Sequence, residues 1–267
     1  MPDVTIYRET AYYCGEEYLD VYIYPVYKRP GQRAKKAKPT TETQAKLNER
    51  HAAEKLGRLL NTNFTPNDLS FGCSYRVNPE SDDQVKRDAH NYLDRLRRRY
   101  KKAGVPLKYI MVIEKSKAGR YHLHVIINDA GIDRDELERI WGYGYANSKR
   151  LEFGKTGLVG LAKYITKRPI FGKRWNASKN LIHPQPKPND RRIRSRRKAA
   201  ALAKDPEDRQ PWEKLYPDYI MAEVVPFHND ENGGVYLFAR LYRKDGVYST
   251  ASDRSRARPN AHHLDKT

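Results

Sequence analysis

Cysteine and long apolar runs are scarce in this sequence of 267 residues. The two cysteines, Cys14 and Cys73, form no CxxC pair and have no metal-type spacing, which argues against a disulfide framework and against a zinc ribbon. No apolar stretch approaches the ~18 residues that a membrane span needs, and no basic segment followed by an apolar run opens the chain. We therefore expect no signal peptide, no membrane partner and a reducing, cytoplasmic compartment.

Positive charge dominates what the sequence does contain. Apolar residues make up 38% of the chain and charged residues 32%, and the formal net charge is +19 with a pI near 9.8. This excess of positive charge predicts a polyanionic partner, with nucleic acid first and a ribosome-like or membrane-surface binder as the alternative.

Hydrophobic periodicity predicts strands and helices that are interspersed along the first 170 residues. Strands are predicted in YLDVYIYPVYK, where Pro25 ends the strand, in LSFGCSYRV, and in LKYIMVIEK and YHLHVIIN, which form a hairpin. Helices are predicted from Thr41 to Leu60, in SDDQVKRDAHNYLDRLRRRYKKAG with Ser81 and Gln84 as a capping pair, in DRDELERIW and in GLVGLAKYITKRP. Strands joined by hairpins and mixed with helices indicate an α+β fold with an antiparallel sheet.

The composition changes after residue 170. The stretch from His183 to Pro211 is rich in proline and charge and is predicted to be mostly extended or weakly helical. YIMAEVVPF and VYLFARLYR predict a second hairpin, and the last residues are predicted to be disordered. We therefore divide the chain into a domain at 1–170, a basic linker with a β-hairpin extension at 171–245, and a tail at 246–267.

Two histidines lie two residues apart in the segment RYHLHVIIN. Residues i and i+2 of a strand point to one face, so His122 and His124 project together while the residues around them face the core. If the hairpin turn is centred on Ala118, Glu114 lies opposite His122 and on the same face. Two imidazoles and a carboxylate, with positions left open, can hold a divalent metal ion as a Lewis acid. Ordinary hydrogen bonding by half-exposed histidines is the alternative.

A tyrosine on a predicted helix is the candidate nucleophile. Tyr164 and Lys167 are three residues apart and therefore neighbours on the helix surface, and Gly160 leaves room beside the tyrosine for a DNA strand. Free tyrosine has a pKa of about 10, and a nearby ammonium group and a nearby metal ion would both favour its phenolate. The chain has 20 tyrosines, so a surface aromatic is the alternative for Tyr164 if the metal site is absent.

Together these segments resemble a known family. RYHLHVIIN is similar to the HUH motif, histidine–hydrophobe–histidine, of rolling-circle replication initiators, and LAKYITKRP resembles their tyrosine motif. The segment from Glu136 to Pro169, with IWGYG, and the later RWNASKNLIHPQP and YPDYIM resemble the Rep proteins of bacterial plasmids and filamentous phages. The ordered set of Glu114, the histidine motif and YxxK carries the resemblance, which covers residues 65 to 170 best.

The resemblance implies the fold and the reaction of an HUH endonuclease. Such enzymes have a central antiparallel sheet of about five strands, with the histidine strand at its middle and the tyrosine on a flanking helix. Tyr164 would attack the scissile phosphate of one DNA strand, become linked to the 5′ phosphate and leave a free 3′ hydroxyl, and the reverse step would rejoin the strand. Lys167 would position or neutralise the tyrosine or the phosphate. The implied ligands of Mg²⁺ or Mn²⁺ are His122, His124 and Glu114, and the predicted DNA-binding residues are Arg76, Lys163, Arg168, Lys173 and Arg174.

The implied partner is single-stranded DNA at an origin hairpin in a bacterial host. No GxxxxGK[ST] segment is present, so a host helicase would unwind the duplex and a host polymerase would extend the 3′ end. Tyr121 or Tyr75 could stack on unpaired bases, with core packing favoured for Tyr75. Three alternatives remain: an HUH transposase or relaxase, a metal hydrolase that uses water in place of Tyr164, and a non-enzymatic nucleic-acid-binding module.

Overall fold

The computed structural model of the chain describes residues 4–27, 42–166, 174–229 and 234–248. The chain divides into two compact units. The central unit contains residues 40–152 and 158–183, and the terminal unit contains residues 1–39, 153–157 and 184–267. Within the described ranges, no helix is both long enough and apolar enough to cross a bilayer.

The described residues form helices and strands that we number in chain order. The helices are α1 (Glu42–Asn63), α2 (Asp82–Lys102), α3 (Arg134–Arg139), α4 (Val159–Ile165), α5 (Arg196–Lys204) and α6 (Gln210–Leu215). The strands are β1 (Val4–Cys14), β2 (Tyr18–Tyr27), β3 (Leu69–Tyr75), β4 (Tyr109–Lys115), β5 (Tyr121–Ile127), β6 (Gly144–Arg150), β7 (Asn176–Ala177), β8 (Lys187–Asn189), β9 (Tyr219–Asn229) and β10 (Gly234–Arg243).

The central unit is built on an antiparallel sheet of five strands in the order β6-β3-β5-β4-β7. The strand that carries both histidines, β5, is the middle one. The predicted α+β fold with a five-stranded antiparallel sheet and flanking helices is therefore confirmed.

One face of this sheet packs on α2 and α3. Alternate residues of β3 and β5, such as Phe71, Leu123 and Val125, are fully buried there against Leu96 of α2 and Trp141 after α3. Each such side chain contributes about 1.5–3 kcal/mol through burial. This core leaves the opposite face of the sheet for the other residues of each strand, His122 and His124 among them.

Helix α2 begins at the predicted cap. The Ser81 side chain accepts a hydrogen bond from the Gln84 backbone N–H at 3.2 Å, while the Gln84 side chain accepts one from the backbone of Glu80. Several basic residues in the last turns of α2 make contacts within the protein. Arg95 donates to the carbonyl oxygens of Ile140 and Trp141. Further contacts link Arg97 to Asp94 and Tyr109, and Arg99 to Glu136.

The terminal unit has its own antiparallel sheet, in the order β8-β1-β2-β10-β9. The predicted C-terminal hairpin is present as β9 and β10, and β10 pairs with β2. The prediction that Pro25 ends its strand is wrong, because β2 continues to Tyr27 and Pro25 lies opposite Tyr7 of β1. The described pairing of β2 with β10 stops at Ile23, so the missing N–H of Pro25 falls where β2 has β1 alone as its partner.

The segment predicted as a basic, mostly extended linker contains β8 and two helices. Ala199 and Ala203 of α5 are four residues apart and face the sheet, and Trp212 of α6 is buried in the same core. Small apolar residues at helical spacing are enough to make α5 a helix that packs on the sheet, and the charged residues around them face solvent. The two units also differ from the predicted ranges, since β1 and β2 share a sheet with the C-terminal hairpin. The predicted tail lies mostly outside the described residues.

Candidate active site

The hairpin of β4 and β5 sets the geometry of the site. Its turn is closed by hydrogen bonds from the Ser116 N–H to the Arg120 carbonyl at 2.8 Å and from the Gly119 N–H to the Ser116 carbonyl at 2.9 Å. Gly119 has a φ of 77°, a left-handed conformation that favours glycine. With this turn, Glu114 lies directly opposite His122, which is the predicted register.

Glu114 and His124 make direct contact. The Oε2 atom of Glu114 lies 3.2 Å from Nε2 of His124, and both side chains are about four-fifths buried. Burial lowers the pKa of His124 below its usual value, and the nearby His122 lowers it further, against the opposing effect of Glu114. His124 is therefore a neutral imidazole at neutral pH, which is the form that binds a metal ion.

These three residues fit a divalent metal ion in their chemistry and in the face that they share. Neutral imidazole nitrogens and a carboxylate oxygen are ligands for Mn²⁺ and related ions. Among the residues that the structure describes, however, no three His, Cys, Asp or Glu side chains are gathered as a metal-binding group. Glu114 and His124 instead bond to each other, and His122 stands beside them on the same surface.

Helix α4 brings the candidate nucleophile to the histidines. The ring centroids of Tyr164 and His124 are 5.4 Å apart with an interplanar angle of 80°. Tyr164 is 59% exposed, while Val159, Ala162 and Ile165 bury the other side of the helix. The hydroxyl-bearing ring is therefore both next to the histidine strand and accessible to a large substrate.

Helix α1 and the residues after α4 hold this helix in place. The side chain of Asn61 accepts a hydrogen bond from the Leu158 N–H at 2.7 Å, so it satisfies a donor at the start of α4. Gly57 lets the two helices approach, because a Cβ atom there would lie 2.9 Å from a methyl group of Val159. At the other end, the Arg174 guanidinium donates to the Thr166 carbonyl at 3.2 Å.

The predicted DNA-binding residues differ in their surroundings. Arg76 and Lys163 are exposed, and Lys163 neighbours Tyr164 on α4. Arg174 is partly buried and bonded to the end of α4, so the fold already uses its charge. Lys167, Arg168 and Lys173 lie outside the residues that the structure describes.

The two tyrosines suggested for base stacking are buried. Tyr121 is 3% exposed, and its hydroxyl donates to Asp82 on α2 at 2.5 Å and accepts from Lys115 at 2.9 Å. Tyr75 is 5% exposed and its ring contacts Trp141, as core packing requires. The prediction of stacking by Tyr121 is wrong because its strand position points to the α2 face of the sheet.

An exposed row on β6 escaped the sequence analysis. Tyr145 lies opposite Ser74, which in turn lies opposite His122, so all three share the histidine face. Asn147 and Lys149 follow on the same face of β6, and all three β6 side chains are exposed. The alternation of Tyr, Asn and Lys with small residues in GYANSKR was the available signal.

The sheet and the residues on it define an α+β protein with an open, palm-like sheet. Residues 70–169 match the model of a protein family described as replication-associated protein ORF2/G2P. The match begins in β3, ends just past α4, and includes Glu114, His122, His124 and Tyr164. It confirms the resemblance to replication-associated proteins and supports a role in DNA replication. No curated protein and no solved structure gave a significant match.

Proposed function

We propose that this protein initiates rolling-circle replication by nicking one DNA strand at an origin and later rejoining it. The observation that carries the proposal is the contact between Tyr164 and His124, with ring centroids 5.4 Å apart. The exposed Tyr164 on α4, His124 on the central strand β5 and Glu114 on the neighbouring strand β4 are close enough to act as a single site. The family match over residues 70–169 adds a replication context to that geometry.

The proposed reaction is a transesterification in which Tyr164 is the nucleophile. Its hydroxyl oxygen bonds to the scissile phosphorus and gives up its proton, and the bond from phosphorus to the 3′ oxygen breaks. The 3′ oxygen takes up a proton, so the products are a 5′-phosphotyrosyl ester and a free 3′ hydroxyl. Because one phosphodiester replaces another, the reverse step can rejoin the strand without an external energy source.

His122, His124 and Glu114 would hold a divalent ion, Mg²⁺ or Mn²⁺. Such an ion stabilises negative charge on the phosphate oxygens during phosphoryl transfer. The protein's own contributions are the neutral His124 imidazole, the position of Glu114 across the hairpin, and the fixed approach of α4. Lys163, next to the nucleophile on the exposed side of α4, is available for phosphate contact, and we assign the same role to Lys167 from the sequence.

A polyanionic substrate also matches the net charge of +19. The chain has no GxxxxGK[ST] segment, so the proposal assigns unwinding to a host helicase and extension of the 3′ hydroxyl to a host polymerase.

Covalent capture tests the proposal. The full chain is mixed with labelled single-stranded DNA fragments that tile its own replicon, in the presence of Mn²⁺, and the mixture is separated on a denaturing gel. We expect a shifted band that EDTA abolishes and that Tyr164→Phe lacks. Tyr13→Phe is the matched control, because Tyr13 is an exposed tyrosine of the terminal unit and the change should leave the band intact.

The other outcomes each contradict the proposal in a different way. Metal-dependent cleavage without a protein–DNA band would indicate a hydrolase that uses water. Salt-sensitive binding without cleavage of any fragment would indicate a binding module. A band that persists in Tyr164→Phe would assign the nucleophile to another residue.

A further inference from the structure

An exposed aromatic ring lies beside the candidate active site. Tyr145 on β6 is 68% exposed, and it faces the same side of the sheet as His122. One strand, represented by Ser74, separates the two residues. With neighbouring strands ~4.8 Å apart, Tyr145 lies about 10 Å from His122. A substrate held at the histidines and Tyr164 can therefore reach this ring.

A cation accompanies the ring. The Arg76 guanidinium carbon lies 5.8 Å from the centroid of the Tyr145 ring, and the side chain of Arg76 is itself exposed. An exposed tyrosine next to a guanidinium combines a stacking surface for bases with a charge for phosphates, as single-stranded nucleic acid requires. Lys149, further along the same face of β6, adds positive charge to the same edge of the sheet.

Arg76 also lines a cavity at the end of β3 and the start of β6, whereas Tyr145 does not line it. The cavity has a volume of about 760 Å³, and the carboxylates of Glu80, Asp88 and Glu138 line it as well, so the platform for a base is the exposed Tyr145 ring and not the cavity.

The backbone at the start of β6 packs closely against the end of β3, so the surface that carries Tyr145 and Arg76 is preformed. A Cβ atom at Gly144 would lie 2.3 Å from the Ser74 carbonyl oxygen and 2.5 Å from the Arg76 nitrogen. Only glycine permits that approach, and the Arg76 N–H donates to the Tyr143 carbonyl at 3.0 Å. The backbone therefore orients Tyr145 and Arg76 before any ligand binds.

We infer that an unpaired base of the DNA strand stacks on Tyr145 beside Arg76, on the histidine face of the sheet, while the neighbouring phosphate occupies the Tyr164–His124 site. The inference rests on the proposed function for the position of the phosphate, whereas the stacking itself requires binding alone. In this arrangement Tyr145 and Arg76 form a binding platform for the base next to the nick.

Binding to two probes tests the platform without any cleavage. One probe is a fluorescent oligothymidine of about 16 nucleotides, and the other has the same length and charge but abasic sugars throughout. Fluorescence anisotropy gives the affinity of the full chain for each. We expect wild type and Tyr145→Phe to prefer the probe with bases. Tyr145→Ala should bind that probe roughly 5- to 150-fold more weakly and bind the abasic probe as wild type does.

Equal affinity of Tyr145→Ala and wild type for oligothymidine would overturn the inference. So would an equal loss on both probes, because that pattern indicates a change in the fold or in phosphate contacts. Tyr164→Phe separates this inference from the proposed function, because it should keep the preference for bases while it removes the covalent band. If the protein proved not to nick DNA, the binding result for Tyr145 would therefore still test base stacking.

Discussion

Arg240 and Arg243 lie on the same strand, β10, and differ mainly in burial. Arg240 is 1% exposed and donates to Asp20 and Glu223 at 3.0 Å each, whereas Arg243 pairs with Asp245 at the surface. Removing one member of a buried ion pair leaves the remaining charge buried without a partner. We therefore predict that Arg240→Ala lowers the free energy of unfolding by about 3–5 kcal/mol.

Arg243→Ala is the matched control for this change. A solvent-exposed ion pair contributes about 1 kcal/mol or less. The urea denaturation curve of Arg243→Ala, followed by circular dichroism, should therefore stay close to that of wild type. Similar small losses for both variants would contradict the importance that we give to the buried pair.

At the scale of single residues, the sequence predicts which side chains share a face of the sheet and which residues lie opposite each other, because strand alternation and turn length determine both. The common face of His122 and His124 and the opposition of Glu114 to His122 follow from these two rules, and both are observed. The contact between Glu114 and His124 and the lowered pKa of His124 depend on rotamers and burial, which no local pattern specifies. The alternation rule itself would have corrected the prediction for Tyr121, because it places this residue on the face opposite His122.

At the scale of elements, the close approach of α1 and α4 positions Tyr164. We predict that Gly57→Leu displaces α4, because a side chain there has no room beside Val159. A displacement of about 1 Å at a reacting group costs on the order of 100-fold in rate. The rate of covalent adduct formation should fall by about that factor, while affinity for oligothymidine should change little.

Lys55→Leu is the control for Gly57→Leu, because Lys55 lies on the exposed side of α1 and the same side chain meets no helix there. An adduct rate equal to wild type in Gly57→Leu would show that the spacing of α1 and α4 does not control the position of the nucleophile.

The lengths and types of most helices and strands in the central unit follow from periodicity and caps. Asp133 caps α3, at the start of the predicted helix DRDELERIW, by accepting from the Glu136 N–H at 3.0 Å. α5 was harder to predict, because its apolar stripe is built mainly from alanines within a charged segment. Pro25 was misread because proline limits a strand according to its neighbours, which are distant in sequence.

At the scale of the whole molecule, the net charge of +19 predicts salt-sensitive DNA binding. Each lysine that neutralises a phosphate of single-stranded DNA contributes about 0.7 to the slope of log affinity against log salt concentration. We predict that Lys163→Ala reduces the magnitude of that slope by about 0.7, as measured by anisotropy with oligothymidine over a range of salt concentrations.

Lys86→Ala is the control for the salt experiment. Lys86 lies on α2, which packs on the opposite face of the sheet, and it is already paired with Asp83 at 2.9 Å. An equal change of slope in both variants would mean that the DNA does not follow the histidine face.

The two units could not be predicted from the order of the strands and helices along the sequence. β2 has a clear strand pattern, but its partner β10 lies more than 200 residues further on. Strand pairing at that separation is set by tertiary packing, so a boundary drawn at residue 170 does not follow the sheets.

The measurement that tests the central claim most directly is the identification of the residue that becomes linked to DNA. The chain has 20 tyrosines, and trypsin should release Tyr164 in the short peptide YITK, where it is the only tyrosine. After adduct formation with Mn²⁺ and digestion by nuclease and trypsin, mass spectrometry should find the nucleotide on this peptide, attached through its 5′ phosphate. A nucleotide attached through its 3′ phosphate, or on a peptide that contains another tyrosine, would contradict the account.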